Sequence, residues 1–335
     1  MLRHCVLFFL AVAAYAIASS GDRSSEFQNC VIRCSVDTCV SSSMLPLVLK
    51  LTRWSCADDC KYTCMHVVTN KAVELGVPIE QYYGKWPFWR LLGMQEPASV
   101  AFSLLNLWFH ALGLSKIRRS IPDNHIMKTY YILWAIVSIN TWVWSSVFHT
   151  RDLPTTEKLD YFSAALSIGY SLYYTVIRLF HLYPRRNMLA NTSLDPKRTI
   201  RWTWVLLCMI IYVSHVSYLS LSPRFDYSYN MAFNLTLGLT HNALWTLYSL
   251  PSSLPVLRRF LSRSKTYRPS FASQAAVFVL LTTAATALEL FDFPPWGRTI
   301  DAHALWHLST APIIPFWYDF LIADALDEGW RGGKV

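Results

Sequence analysis

Seven stretches of the chain are apolar over about the length that crosses a bilayer: Pro97 to Leu114, Tyr130 to Phe148, Leu159 to Leu182, Trp202 to Leu221, Tyr229 to Leu250, Phe271 to Leu290 and Ile300 to Ala323. Each approaches the roughly 20 residues a helix needs to span the hydrocarbon layer, where the backbone must satisfy its own polar groups. The pattern predicts an all-α membrane protein built on a seven-transmembrane helix bundle. A shorter apolar run, Val6 to Ala18, follows the basic Arg3 and carries small residues, Ala16 and Ala18, at cleavage spacing. It is too short to span and reads as a signal peptide over residues 1–20, which puts the mature N-terminus in the lumen. Seven crossings then put the C-terminus in the cytosol.

Loop charges check that count independently. Counted from a lumenal start, cytosolic loops carry Lys116, Arg118, Arg119 and Lys128, then Arg185, Arg186, Lys197, Arg198 and Arg201, then Arg258, Arg259, Arg263, Lys265 and Arg268. Lumenal loops carry only Arg151 and Lys158, then Arg224, then Arg298. Positive charge is retained on the cytosolic side, and one miscounted helix would invert the asymmetry. The same scatter over short loops accounts for the net charge of +9 and excludes nucleic acid as a partner. With 53% hydrophobic residues and 14 Trp, the chain is also too apolar and aromatic for an ordinary soluble domain.

Six of the eight cysteines crowd into one polar segment, at Cys30, Cys34, Cys39, Cys56, Cys60 and Cys64. An even set behind a secretory start points to three disulfides rather than a zinc site, with a connectivity that spacing does not reveal. Between this segment and the first span, Gln81 to Arg90 is rich in Trp and Tyr, the residues that sit at headgroup level. The expected organisation is a signal peptide 1–20, a lumenal cysteine-rich domain 21–95, a seven-transmembrane hydrolase domain 96–325 and a cytosolic tail 326–335. Two sequons, at Asn191 and Asn234, fall in a cytosolic loop and inside the fifth span, so neither is expected to carry a glycan.

The chemistry-bearing residues gather at the lumenal ends of three spans. Ser145 and His149 lie four apart at the end of the second, on one helical face. Asp160 falls in the first turn of the third, and His303 and His307 again share a face at the start of the seventh. Three imidazoles are good zinc ligands and leave a fourth position for water, whose pKa zinc lowers to about 7. Asp160 then orients a ligand or takes the water proton, and Ser145 hydrogen-bonds the developing oxyanion. Taken singly, each histidine is more often a structural residue and the Asp a helix-dipole effect. Their common depth is what favours a site, because ionisable groups in a membrane are expensive. His215 is a spare candidate; His110, His181 and His241 read as structural. Composition and spacing by themselves support a lumenal hydrolase.

Gly84 to Phe88, Gln95 to Val100, Trp144 to Asp152 with Glu157 and Asp160 to Phe162, and Asp301 to His307 together resemble the post-GPI-attachment-to-proteins phospholipases, the Per1-like family. That family lies in a wider superfamily with alkaline ceramidases and adiponectin receptors. The superfamily pattern of a serine, a histidine four later, an aspartate eleven further on and a distant His-x-x-x-His falls on Ser145, His149, Asp160, His303 and His307. The resemblance implies a zinc enzyme of the phospholipase A2 type. It implies that the substrate is the lipid of GPI-anchored proteins, which loses its sn-2 acyl chain during remodelling in the Golgi membrane. The endoplasmic reticulum is the alternative address, since the tail Arg331 to Val335 is not a clear retrieval signal.

Other functions predict other residues. A G-protein-coupled receptor would end its third span on Asp-Arg-Tyr, where this chain has Phe180, His181 and Leu182, and would carry Asn-Pro-x-x-Tyr in its seventh. A metal transporter would hold its ligands near the bilayer midplane. A serine hydrolase using Ser145 would need a nucleophile elbow that is missing here. A ceramidase-like amidase and a non-catalytic escort for GPI-anchored cargo stay open, the second separable by metal content.

Overall fold

The computed structural model describes residues 19–39, 45–184 and 197–331. The signal-peptide run up to Ala18 and the Asn191 sequon lie outside them. The described residues form eleven α-helices joined by turns and short 3-10 segments, with three isolated backbone bridges and no strand. They divide into two compact units.

The first unit comprises the described residues up to Ala101, with Ser146–Thr156 and Glu289–Leu305. It contains helices α1 (Ser25–Cys34), α2 (Leu47–Leu51) and α3 (Cys56–Glu74). Helix α3 starts at a reciprocal cap, in which Ser55 accepts from the Asp58 backbone and Asp58 accepts from that of Ser55. The six cysteines pair as Cys30–Cys64, Cys34–Cys60 and Cys39–Cys56, a nested set joining the α1 arm to α3. Residues four apart on an α-helix share a face, as do residues five apart along the π-helical Ser35–Cys39, so the ascending cysteines of one arm meet the descending ones of an antiparallel arm. This settles the connectivity that spacing left open. Phe27, Cys64 and Tyr82 form the small core beneath the first staple. Two four-residue turns follow, Tyr82–Lys85 and Leu91–Met94, whose ends exchange backbone hydrogen bonds. Each has positive φ at both central residues, Tyr83 with Gly84 and Leu92 with Gly93, the geometry of a two-residue hairpin turn.

The remaining helices are α4 (Pro97–Ser120), α5 (Lys128–Thr150), α6 (Pro154–Leu179), α7 (Arg198–Leu221), α8 (Tyr227–Ser249), α9 (Ser273–Glu289), α10 (Ala302–Thr310) and α11 (Ile313–Leu326), all of the second unit except residues 97–101, 146–150, 154–156, 289 and 302–305, which belong to the first. Among the described residues, four helical stretches are long and apolar enough to cross a membrane: α4, α5, α7 and Ser270–Glu289. Six of the seven apolar segments read from the sequence coincide with single helices. The last one does not, because it breaks after Thr310 at Ala311 and Pro312, and α11 starts anew. Proline has no N–H to continue the ladder, which explains the break. Helix α6 also starts earlier than its apolar run, at Pro154, a favoured first helical residue, so Asp160 lies in its second turn rather than its first.

The core of the second unit is aromatic, with Tyr131, Tyr174, Trp245, Tyr248, Trp317 and Tyr318 almost completely buried. Gly113 on α4 is one place where glycine is required, since a Cβ there would overlap the Tyr318 ring. Gly113→Ala is expected to destabilise the protein. The overpacking cost of about 1–3 kcal/mol exceeds the gain of about 1 kcal/mol in helix propensity. An unchanged thermal unfolding midpoint of the variant in detergent would contradict this packing.

Candidate metal centre

Backbone pairing brings the first candidate ligand and its partner together. The last carbonyls of a helix have no acceptor role inside it. At the end of α5 they are taken by the segment just before α4, since Glu96 N–H donates to His149 O at 3.0 Å and Gln95 N–H to Thr150 O at 2.9 Å. The Glu96 side chain is thereby fixed beside the His149 ring, with Oε2 2.8 Å from Nδ1. Its other oxygen, Oε1, accepts from Lys85 Nζ, which also pairs with Asp152 at 3.1 Å.

Glu96 is buried, and burial alone would raise its pKa. The Lys85 ammonium and His149 outweigh that penalty and hold the carboxyl below the usual range, so it is an anion. Lys85 shows the reciprocal balance. Burial opposes its charge, but Glu96 and Asp152 prevail and raise its pKa. A carboxylate can only accept, so Nδ1 of His149 carries the proton and Nε2 presents its lone pair.

The second candidate ligand is placed by a different device. Asp301 Oδ1 accepts from Ala304 N–H at 2.8 Å, a cap that starts α10 and sets His303 in its first turn. The preceding turn is anchored at Arg298, whose carbonyl accepts from Trp89 N–H at 2.9 Å and whose Nη1 donates to His66 Nδ1 at 3.1 Å. His66 is buried and stacked on Trp89. Burial, helped by the Arg298 charge, pushes its pKa down to about 4 and keeps it the neutral acceptor this bond needs. Glu289 Oε2 accepts from Nδ1 of His303 at 2.8 Å.

Within the first unit, then, two imidazoles have their Nδ1 atoms engaged by carboxylates, and their Nε2 atoms face each other at 3.3 Å. Two lone pairs at that distance repel unless a proton or a metal cation lies between them. Carboxylate-backed imidazoles of this kind are the usual environment of a metal-ligating histidine.

In the second unit Ser145, Ser103 and His307 come together. Ser103 Oγ lies 2.9 Å from Ser145 Oγ and 3.5 Å from His307 Nδ1, and all three residues are buried. Asn106 Nδ2 donates to the His307 carbonyl at 2.7 Å, and the Trp142 ring packs against the imidazole. Asp160 is half-buried on α6, and its carbonyl accepts from Ser163 Oγ at 2.9 Å.

The other histidines have structural partners. His110 Nδ1 bonds Tyr318 Oη at 2.9 Å, His181 bonds Tyr183 and the Arg258 carbonyl, and His241 bonds Asn242 and Trp245. His215 is buried between Tyr229 and Phe233 and joins no ligand group among the described residues.

Sequence reasoning passed over Lys85, Glu96, Ser103 and Glu289. Glu289 had a readable signal, a lone carboxylate closing an apolar run. Lys85 and Glu96 stand in the stretches that carried the family resemblance, but their roles depend on turns joining distant segments.

Comparison with known proteins follows the same stretches. The chain matches the model of the Per1-like family over residues 46–325. It is 41% identical over 330 residues to the Schizosaccharomyces pombe protein named Protein PER1 homolog, covering 96% of this chain and 93% of that protein. It is 37% identical over 328 residues to the Drosophila melanogaster Post-GPI attachment to proteins factor 3, covering 94% and 91%. It is 36% identical over 329 residues to the human GPI-specific phospholipase A2-like PGAP3, covering 96% and 94%. No solved structure matches the chain.

Proposed function

The chain belongs to the Per1-like family, and from that premise we propose that it removes the sn-2 acyl chain from the lipid of GPI-anchored proteins by zinc-dependent ester hydrolysis. The relatives named for GPI-specific phospholipase A2-like activity and for post-GPI attachment support the substrate. One observation carries the chemistry: the facing Nε2 atoms of His149 and His303, 3.3 Å apart with both Nδ1 atoms held by carboxylates. Tetrahedral zinc with Zn–N bonds of about 2.0–2.1 Å separates its ligand nitrogens by roughly 3.3–3.4 Å, so the donor pair fits that ion.

His307, one turn beyond His303 on α10, is the third ligand in this reading. Zinc bound there supplies Lewis acidity toward water and an ester carbonyl.

The protein groups do the rest. Glu96 and Glu289 keep the Nδ1 protons of their histidines in place. Ser145, oriented by Ser103, donates its hydroxyl proton in a hydrogen bond to the carbonyl oxygen as negative charge develops on it. Asp160 takes the proton of the attacking water or orients a ligand. The water oxygen bonds the acyl carbon, the ester C–O bond breaks and the water proton passes to the leaving oxygen, releasing a fatty acid and the lyso-lipid. A hydroxyl, not a base, stands next to Ser145 Oγ, which favours this role over that of nucleophile.

We place the site on the lumenal side of a seven-span protein of the Golgi membrane, with the endoplasmic reticulum as the alternative. Three disulfides support an oxidising compartment. The test pairs elemental analysis of the purified chain with mass spectrometry of GPI lipids from cells lacking it. We expect close to one zinc per chain and retention of the original sn-2 chains. Unchanged GPI acyl composition would overturn the enzyme in favour of an escort. Ser145→Ala is expected to keep its zinc and lose turnover by about 10²–10³-fold, the scale of one oxyanion donor. Loss of metal from that variant would show that the serine serves the site's structure instead.

A further inference from the structure

We propose that Lys85 is a positioning residue for the metal ligand His149, so that the cysteine-rich segment is itself a working part of the metal site. The inference rests on the zinc reading above and deepens it.

Lys85 closes the turn Tyr82–Lys85, and Tyr82 at its other end is buried against Phe27 and Cys64, the cysteine stapled to Cys30. The disulfide-bonded helices therefore set where the Lys85 backbone lies. From there the side chain, about one-fifth exposed, reaches Glu96 and Asp152 and passes over the Phe148 ring at 4.2 Å. Glu96, only 6% exposed at its side chain, has one oxygen on Lys85 and the other on His149. A carboxylate held at both oxygens cannot rotate, and its plane determines the direction in which Nδ1–H of His149 must point. The opposite ring atom, Nε2, is aimed by the same constraint.

Two negative groups converge on the Lys85 ammonium. With the ammonium gone, Glu96 and Asp152 would face each other without a counter-charge, and their repulsion would drive Glu96 off its line to His149. The partner imidazole is built differently. His303 is held by Glu289, which is half-buried and has no lysine among its hydrogen-bond and ion-pair contacts in the described residues. One imidazole thus depends on the cysteine-rich segment through Lys85, whereas the turn before the other is tied to that segment through Arg298 and not through Lys85. Loss of Lys85 should weaken the metal site without abolishing it.

The experiment measures zinc affinity of the full-length chain in detergent by competition with a chromogenic chelator. Lys85→Met is expected to lower affinity by about 10–100-fold, the usual scale for a residue that orients a ligand. Lys85→Arg, which keeps the charge, should restore most of it. Lys71→Met, which removes an exposed α3 lysine paired with Glu26, is the control and should match the wild type. Where Lys85→Met does not fold, Lys85→Gln keeps chain length and a hydrogen-bond donor, and an affinity loss of about 10-fold there carries the same conclusion. Wild-type affinity in a folded Lys85→Met or Lys85→Gln variant would overturn the role of Lys85. A wild-type chain that binds no zinc would sink the function proposed above instead, so the two failures are told apart.

Discussion

His303→Ala is expected to lose both metal and activity. Zinc content should fall from near one per chain to background, and remodelling of GPI lipids should drop by more than the roughly 100-fold that loss of an orienting group costs. The reason is geometric. His303 supplies one of the two facing Nε2 atoms, and its ring is already held at Nδ1 by Glu289, so no other group stands ready to replace it. The helix itself should survive, because its start depends on Asp301 capping Ala304 and not on the imidazole. Cells carrying only this variant and showing ordinary GPI acyl chains would refute the metal mechanism. The contrast with Ser145→Ala makes the pair informative, since one variant loses the ion and the other keeps it.

The largest stability effect is expected outside the candidate metal site, at Arg178 and Asp324. Both side chains are fully buried. Arg178 donates from Nε and Nη2 to the two Asp324 oxygens at 2.7 Å each, and Tyr248 Oη donates to Oδ1 at 2.8 Å. Arg178 Nη1 donates to the Arg259 carbonyl at 2.8 Å, and the guanidinium packs against the rings of Phe260 and Trp330. Such a pair adds little over a well-packed apolar replacement, because both charges have been taken out of water. Removing one partner is different, since it strands a buried charge at a cost of about 3–5 kcal/mol. Asp324→Ala should therefore lower the thermal midpoint by about 10 °C. The double variant Arg178→Met with Asp324→Leu should recover part of that loss. Zinc content should be unaffected in both. A midpoint within about 2 °C of wild type for Asp324→Ala would contradict the stranding of a buried Arg178 charge.

Much of the candidate site was readable before any fold was known, because its residues obey local spacing. Ser145 with His149, and His303 with His307, are one helical turn apart, and helical periodicity alone puts each pair on one face. The carboxylates behind the ligands follow no such rule. Glu96 reaches His149 through backbone bonds between segments 53 residues apart, and Glu289 reaches His303 across an irregular loop. The helix boundaries failed where backbone chemistry overruled hydropathy. Pro312 interrupts an apolar run that reads as continuous, and Pro154 starts a helix among polar residues.

The amino-acid order alone determined that this is a helical, membrane-type chain with a cysteine-rich segment, because hydrophobic length and periodicity are local properties that each stretch carries by itself. It also placed the chain in the Per1-like family. Only the tertiary structure decided how the six cysteines pair, which tautomer His149 adopts and which lysine stands behind it. Those outcomes depend on side chains brought together from distant positions, where burial and charge are settled by neighbours that no local pattern specifies.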